Sequence, residues 1–287
     1  MRREINHTGL TVTAIGLGAM PLSLSGRPSE EQAFAVIEAF IQNGGDFIDT
    51  ANVYCLDDRD IGHNERLIDK ALRRFGRREK VTVATKGGLR RPRGDWTVDG
   101  DPKWLRTSCE RSLEALNTEA ITLYQLHAVD PKVGLQASLA ELVRLKEEGK
   151  ILHIGLSNVG PADLETALTM TPIASVQNRC NPFYKKDFKN GLVELCKHRG
   201  VAYIPHSPVG GHFGHAALAK NLAFSRLAGQ CGCSPHNLAL AWLLHKGAHI
   251  LPIPGASRVE SVLDSVCAMN LRLGPDIIEA IDRLPDM

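Results

Sequence analysis

An α/β barrel of eight parallel strands, each followed by a helix, is the fold class that this 287-residue chain predicts. Three observations predict it. Short apolar runs rich in β-branched residues recur eight times, each followed by a segment of helical period. The only Gly-x-Gly near the first run, Gly16-Leu17-Gly18, is followed by Ala19-Met20-Pro21 rather than by a helix opening, so the fingerprint of an open, doubly wound sheet is missing. No composition break or Pro/Ser-rich linker divides the chain, and residues 1–287 are expected to form one domain. Eight strand–helix units joined by right-handed crossovers close into a (β/α)8 TIM barrel more readily than they stay open.

The elements follow in order. Strands are expected over 14–17, 46–49, 81–85, 121–126, 152–157, 174–177, 202–205 and 249–253. Ser29 with Gln32 three residues on forms a capping box for the first helix. Asn64-Glu65 precedes the apolar positions 67–72, and Asp101-Pro102 starts a helix through 104–116. Leu135, Leu139, Leu142 and Leu145 share one helical face, with Gly149 beyond its end. Pro161 starts a short helix, 192–196 belongs to another, Ser234-Pro235 opens 238–244, and 259–269 is the eighth. Residues 2–12, polar-alternating around Thr8-Gly9, are expected to form an N-terminal β-hairpin plugging the bottom of the barrel. Residues 275–284 are expected to add an extra C-terminal helix on the surface.

Charge excludes some function classes. Thirty-four basic against 32 acidic residues leave a formal charge of +2, too small a field for nucleic acid or an anionic membrane. The basic clusters at 73–80 and at Arg90, Arg91 and Arg93 fall where solvated helix ends and loops are expected. Seven cysteines without framework spacing point to a reducing compartment, and no segment has the apolar length of a signal peptide or a membrane span. The expectation is a cytoplasmic protein, monomeric or weakly homo-oligomeric.

In a barrel of this kind the chemistry sits where strands run into their C-terminal loops. Those ends carry Asp49, Lys86, His127, Ser157-Asn158, Gln177 and His206-Ser207. Asp49 and Lys86 end neighbouring strands, so an ion pair between them is natural. Tyr54 lies five residues past Asp49. A free tyrosine has a pKa of about 10, and an adjacent ammonium stabilises its phenolate. Bringing it to about 7 takes about 4 kcal/mol. Such a phenol is a general acid for a developing alkoxide, with His127 hydrogen-bonding the same oxygen.

The ordered set Gly44-Gly45-Asp46-Phe47-Ile48-Asp49-Thr50-Ala51-Asn52-Val53-Tyr54, Gly62-His63-Asn64-Glu65, Lys86, Leu126-His127, Gly155-Leu156-Ser157-Asn158, Gln177 and Ile253-Pro254-Gly255-Ala256-Ser257-Arg258 resembles the aldo-keto reductase superfamily, of prokaryotic type. The resemblance spans essentially the whole chain. It implies reduction of a small-molecule aldehyde or ketone by NADPH, with NADH as the second choice and no metal. It maps the family's catalytic tetrad onto Asp49, Tyr54, Lys86 and His127. By the same carry-over Ser157, Asn158 and Gln177 hold the nicotinamide carboxamide, beside Gly18, Met20 and the ring platform His206. Ser207, Pro208, Val209, Gly210 and Gly211 wrap the pyrophosphate. Gly255, Ser257, Arg258 and Ser265 hold the adenosine end, with Arg258 suited to a 2′-phosphate.

Four positions depart from the family pattern. Cys55 follows Tyr54 in place of a glycine, and His206 replaces a stacking tyrosine. If protonated, His206 would repel an oxidised nicotinamide. Gly255-Ala256 and Asp264-Ser265 alter the adenosine end. Little follows the last helix, where the resembling family often has a long pocket-closing loop, so an open mouth walled by Met20, Trp96 and Phe183 is expected.

Other readings are weaker. A nucleotide-sensing module on the same barrel remains the alternative, disfavoured by the intact tetrad. A metal-dependent lyase or hydrolase needs ligands that the strand ends do not supply. Cys231-Gly232-Cys233 with His236 has no second pair of ligands and reads as a loop with two buried thiols. His212-Phe213-Gly214-His215 reads as a mobile polar flap beside the cofactor strip.

Overall fold

An antiparallel hairpin, β1 (Arg2–Ile5) and β2 (Leu10–Thr13), opens the chain. The computed structural model describes residues 1–5 and 7–286, apart from the side chains of residues 212, 213, 215 and 217. Parallel strands follow as β3 (Leu17–Gly18), β4 (Phe47–Asp49) and β5 (Thr82–Gly87). A small ribbon, β6 (Leu89–Arg90) with β7 (Thr97–Val98), hangs from the end of β5. The barrel resumes with β8 (Ile121–Leu126), β9 (Ile151–Ser157), β10 (Ser175–Arg179) and β11 (Ala202–His206). Pairing runs β3-β4-β5-β8-β9-β10-β11 in one sheet.

The helices are α1 (Glu30–Gln42), α2 (His63–Arg74), α3 (Pro102–Ala115), α4 (Leu135–Glu147), α5 (Pro161–Met170), α6 (Lys186–Lys189) and α7 (Leu192–Arg199). They continue as α8 (Gly211–Lys220), α9 (Leu222–Gln230), α10 (Pro235–His245), α11 (Val259–Cys267) and α12 (Pro275–Asp282). Ser29 and Gln32 make the expected reciprocal cap on α1, and the Asp101 carboxylate accepts from the N–H groups of Lys103 and Trp104 on α3.

The expected eighth strand, 249–253, takes its place without a full ladder. On one side the N–H groups of Leu251 and Ile253 donate to Tyr203 O (2.9 Å) and Pro205 O (3.1 Å). On the other, the carbonyls of Pro252 and Pro254 accept from Gly16 (3.0 Å) and Gly18 (2.9 Å). Proline has no N–H to return, so the seam with β3 is half a ladder that closes the barrel all the same.

Two further expectations are corrected. Residues 212–215 lie on helix α8 rather than on a loop, while the side chains of His212, Phe213 and His215 lie outside the described residues. Cys231 and Cys233 are half-buried at the end of α9 rather than fully buried.

Alternation along the strands positions the site. Phe47, Ala84, Leu123, Ala174, Ala202 and Ile204 pack inside the barrel with Leu251 and Ile253, and Ile5 and Val12 of the hairpin close this layer from below. Stepping two residues along the same inward face leads from Phe47 to Asp49, from Ala84 to Lys86, from Leu123 to Gln125 and from Ile204 to His206. The apolar floor and the polar mouth are one periodic pattern. Among the described residues no helix is long and apolar enough to cross a membrane.

Candidate active site

At the C-terminal mouth Lys86 is fully buried, with Asp49, Tyr54 and His127 each less than a tenth exposed. Lys86 Nζ donates to Asp49 Oδ2 (2.6 Å), Thr50 O (2.8 Å) and Tyr54 Oη (3.0 Å). An ammonium has three hydrogens, and all three are used. The phenol therefore accepts from Lys86 and keeps its own hydrogen for another acceptor. Burial alone would lower the Lys86 pKa, but the Asp49 carboxylate and the phenol oxygen raise it overall. The ammonium is permanent at neutral pH.

Asp49 is held on both oxygens. Its Oδ1 accepts from Gln177 Nε2 (2.7 Å) and Gln125 Nε2 (3.2 Å). Gln125 is absent from the sequence-derived set, although it lies two residues before His127 on the same inward face. Gly155 makes room for it: a Cβ there would stand 2.7 Å from Gln125 Cγ.

The loop that presents Tyr54 is tied down at its far end. Asn64 and Glu65 sit inside the first turn of α2, which begins at His63 and is entered through Gly62 at φ 80°. Asn64 Oδ1 accepts from Thr50 Oγ1 (2.6 Å), and its amide donates to Ala19 O (2.9 Å) and Ser23 Oγ (2.7 Å). One side chain thus links the loops after β3 and β4. The Cys55 thiol is turned into its own loop, donating to the carbonyls of Val53 and Asp57, and burial pushes it up to about 12, which leaves it unreactive.

The net acidity of Tyr54 runs opposite to the sequence expectation. Burial is the largest influence and raises its pKa; the Lys86 ammonium lowers it, Asp49 raises it, and the sum lies above the ordinary value. The cation is where it was expected, but a buried phenolate costs more than the cation returns. The phenol keeps its proton at neutral pH, with the Lys86 ammonium against its oxygen.

His127 packs edge-on to Tyr54, ring centroids 5.8 Å apart. Burial, the Lys86 ammonium and His206 hold it well below the ordinary imidazole range, so it is neutral. Its Nδ1 is sealed without a partner among the described residues. A bare nitrogen is the cheaper orphan, which puts the ring proton on Nε2, towards the cavity that His127 lines.

A cavity of about 870 Å³ runs from Tyr54, His127 and Trp96 past Ser157, Asn158 and Gln177 to Arg258 and Ser265. Gly18, Met20, Asp49, His206, Ser207, Pro208, Val209, Gly211, Gly255 and Ser257 also line it. Of the expected cofactor and substrate residues, two do not. The Gly210 N–H closes a turn onto Ser207 O (3.0 Å), so it is not offered to the cavity. Phe183 is core, packed on Phe224 at 5.4 Å between centroids. Sequence reasoning missed the lining residues Pro21, His236, Glu260 and Ser261. The last two sit on the first turn of α11, directly after Arg258.

The residues present fit a dinucleotide. Ser207 and Gly211, which line the cavity, both have positive φ (52° and 75°) and lead into the start of α8, whose first N–H groups suit an anion. Asn158, also at positive φ, spends its amide nitrogen on His127 O (2.9 Å) and Ser157 Oγ (3.1 Å), and thereby fixes a polar shelf beside His127. Among the described residues no cluster of three or more His, Cys, Asp or Glu is arranged to hold a metal.

His206 carries a pH prediction. Burial, then Lys86 and Arg179, lower it to about 4, so at neutral pH it is an uncharged ring. Between an unfolded value of about 6.5 and the folded value of about 4, the unfolded chain binds the extra proton, so stability falls as pH falls through that window. The full difference is about 3 kcal/mol, less for a ring edge open to the water-filled cavity. His206→Phe should lose less melting temperature than the parent between pH 7 and 4.5, by several degrees. Equal losses in thermal melts would refute it.

The model of the Aldo/keto reductase family matches residues 14–286. The chain belongs to that family. This aldo/keto reductase is 32% identical to Probable aldo-keto reductase 1 of Glycine max, over 98% of its own length and 88% of that protein. It superposes on the glycerol dehydrogenase AKR11B4 of Gluconobacter oxydans with a TM-score of 0.83 at 25% identity, covering 98% and 94% of the two chains. An aldo/keto reductase of Klebsiella pneumoniae, solved with NADP and acetate, gives 0.79 at 25% identity over 95% and 91%. The aldo/keto reductase is accordingly an oxidoreductase on a TIM barrel, of a family that works with NAD(P)H on carbonyl compounds.

Proposed function

We propose that this enzyme reduces an aldehyde or ketone to an alcohol with NADPH, using Tyr54 as the proton donor. The observation that carries the reading is the buried Lys86 ammonium, shared among Asp49, Thr50 and Tyr54, beneath the Asp49 and Tyr54 side chains that line the long cavity. When bound, the reduced nicotinamide supplies the hydride. The chain's residues do the rest. Tyr54 gives its hydrogen to the carbonyl oxygen, Lys86 stabilises the phenolate left behind, and Asp49 with Gln125 and Gln177 fixes the ammonium. His127 donates from Nε2 to the same carbonyl oxygen. Ser157, Asn158 and Gln177 orient the carboxamide against the ring of His206. Met20 and Trp96 form the walls of the substrate mouth.

Preference for NADPH over NADH is read from the far end. Ser257 and Arg258 stand at the start of α11, whose N-cap makes no side-chain hydrogen bond. Free helix N–H groups beside a guanidinium suit a 2′-phosphate. Arg258→Ala should weaken NADPH about tenfold or more and leave NADH within twofold. Equal weakening of both would refute the assignment. The reading as a whole is tested by fluorescence titration with NADPH and NADH, followed by a panel of carbonyl compounds monitored by cofactor absorbance. Binding without repeated turnover on any simple aldehyde would favour a nucleotide sensor instead.

A further inference from the structure

Arg91 belongs to the basic cluster expected to be solvated, yet only 7% of it is exposed. The ribbon's alternation explains this: Leu89 and Arg91 turn inward while Arg90 faces out. Arg91 Nη2 donates to Cys55 O (3.2 Å) and Leu56 O (3.4 Å), the two carbonyls that directly follow Tyr54. Its guanidinium carbon lies 3.9 Å from the centre of the Trp96 ring. Trp96 in turn packs edge-on to Tyr54, centroids 6.3 Å apart. One planar cation therefore holds the Tyr54 loop twice, through its backbone and through the indole that backs the phenol.

The burial is otherwise hard to account for. Arg91 Nε and Nη1 have no partner among the described residues, and a buried cation with unpaired donors is costly. An apolar side chain would fill the space between ribbon and loop without that cost. What it would lack is the Nη2 donor for two successive carbonyls and the flat face for Trp96. Lysine can donate to the carbonyls but lacks the flat face.

We infer that Arg91 is a positioning residue for the reaction, aiming the Tyr54 phenol at the cavity by clamping the 55–56 carbonyls and stacking on Trp96. The inference rests on Tyr54 being the proton donor. A shift of about 1 Å in a reacting group costs roughly 10²-fold in rate, so loss of the clamp is expected to be visible in the chemical step.

The test is a double-mutant cycle read in single turnovers of a simple aldehyde by the enzyme–NADPH complex, with NADPH affinity and melting temperature measured alongside. Arg91→Met should lower the rate constant about ten- to hundredfold with NADPH affinity within twofold, and Arg91→Lys should recover only part of it. In a Tyr54→Phe background the same change should move the small residual rate less than about twofold, because no phenol is left to aim. An equal loss in both backgrounds, or a loss that tracks NADPH affinity, overturns Arg91 as a positioning residue while leaving Tyr54 as donor. A parental rate in Tyr54→Phe itself overturns both. If Arg91→Met does not fold, Trp96→Leu removes the stack from the solvent side and must show the same dependence on Tyr54; loss of that dependence refutes the clamp.

Discussion

Tyr54→Phe should lower the turnover of carbonyl reduction by roughly 10³-fold, within the 10²–10⁴ range of a single general acid. NADPH affinity should stay within twofold. The variant deletes one oxygen and keeps the ring, so the edge-on packing with His127 (5.8 Å) and Trp96 (6.3 Å) is preserved. Lys86 loses one of three acceptors, which cavity water can replace, so the melting temperature should move by a few degrees at most. The pH profile of the parent adds a second constraint. An acid must be protonated to act, and the Tyr54 pKa lies above its usual value of 10, with burial the largest cause. His127 is already neutral. The rate of the reductive chemical step should therefore stay level from pH 6 to 9, with no limb from either residue. A parental turnover number in Tyr54→Phe would remove the phenol from the mechanism, and a reductive rate that falls as pH rises through 7 to 8 would refute the raised Tyr54 pKa.

The barrel could be read from the sequence because its signals are local. Period-two alternation, caps such as Ser29 with Gln32, and polar residues ending apolar runs each lie within a few positions. The tetrad was legible for the same reason, since each member ends a strand. Gln125 carried a signal that passed unnoticed: its inward phase is set by His127 two residues on. The stretch from Gly210 to Gly214 hid α8 because three glycines in five residues look like a loop. Phe183 and Arg91 were misplaced because their burial depends on distant partners, Phe224 in one case and Cys55 and Trp96 in the other. The direction of the Tyr54 shift lay further out of reach. Sequence names the neighbouring cation, but the opposing cost depends on how much water the folded mouth excludes.

Lys86→Met should abolish turnover and also destabilise the fold, by about 3–5 kcal/mol, the usual cost of stripping one partner from a buried ion pair. For a chain of this size that is a fall on the order of 10 °C in melting temperature. Asp49 would be left 2% exposed, with two amide donors and no cation. An unpaired buried carboxylate is costly, and that stranded charge is the source of the deficit. Adding Asp49→Asn to Lys86→Met should restore most of the lost stability, because a neutral amide can stay among Gln125 and Gln177 without a cation. Activity should not return, since the phenolate left by Tyr54 would still lack its ammonium. Melting curves of the two single variants and the double variant decide the matter. If Lys86→Met melts with the parent at pH 7, or the double variant melts no higher than Lys86→Met, the pair is not a buried electrostatic unit. The charge argument for Tyr54 would then lose its footing, because the same ammonium that holds Asp49 in the fold is the one that must meet the phenolate after proton transfer.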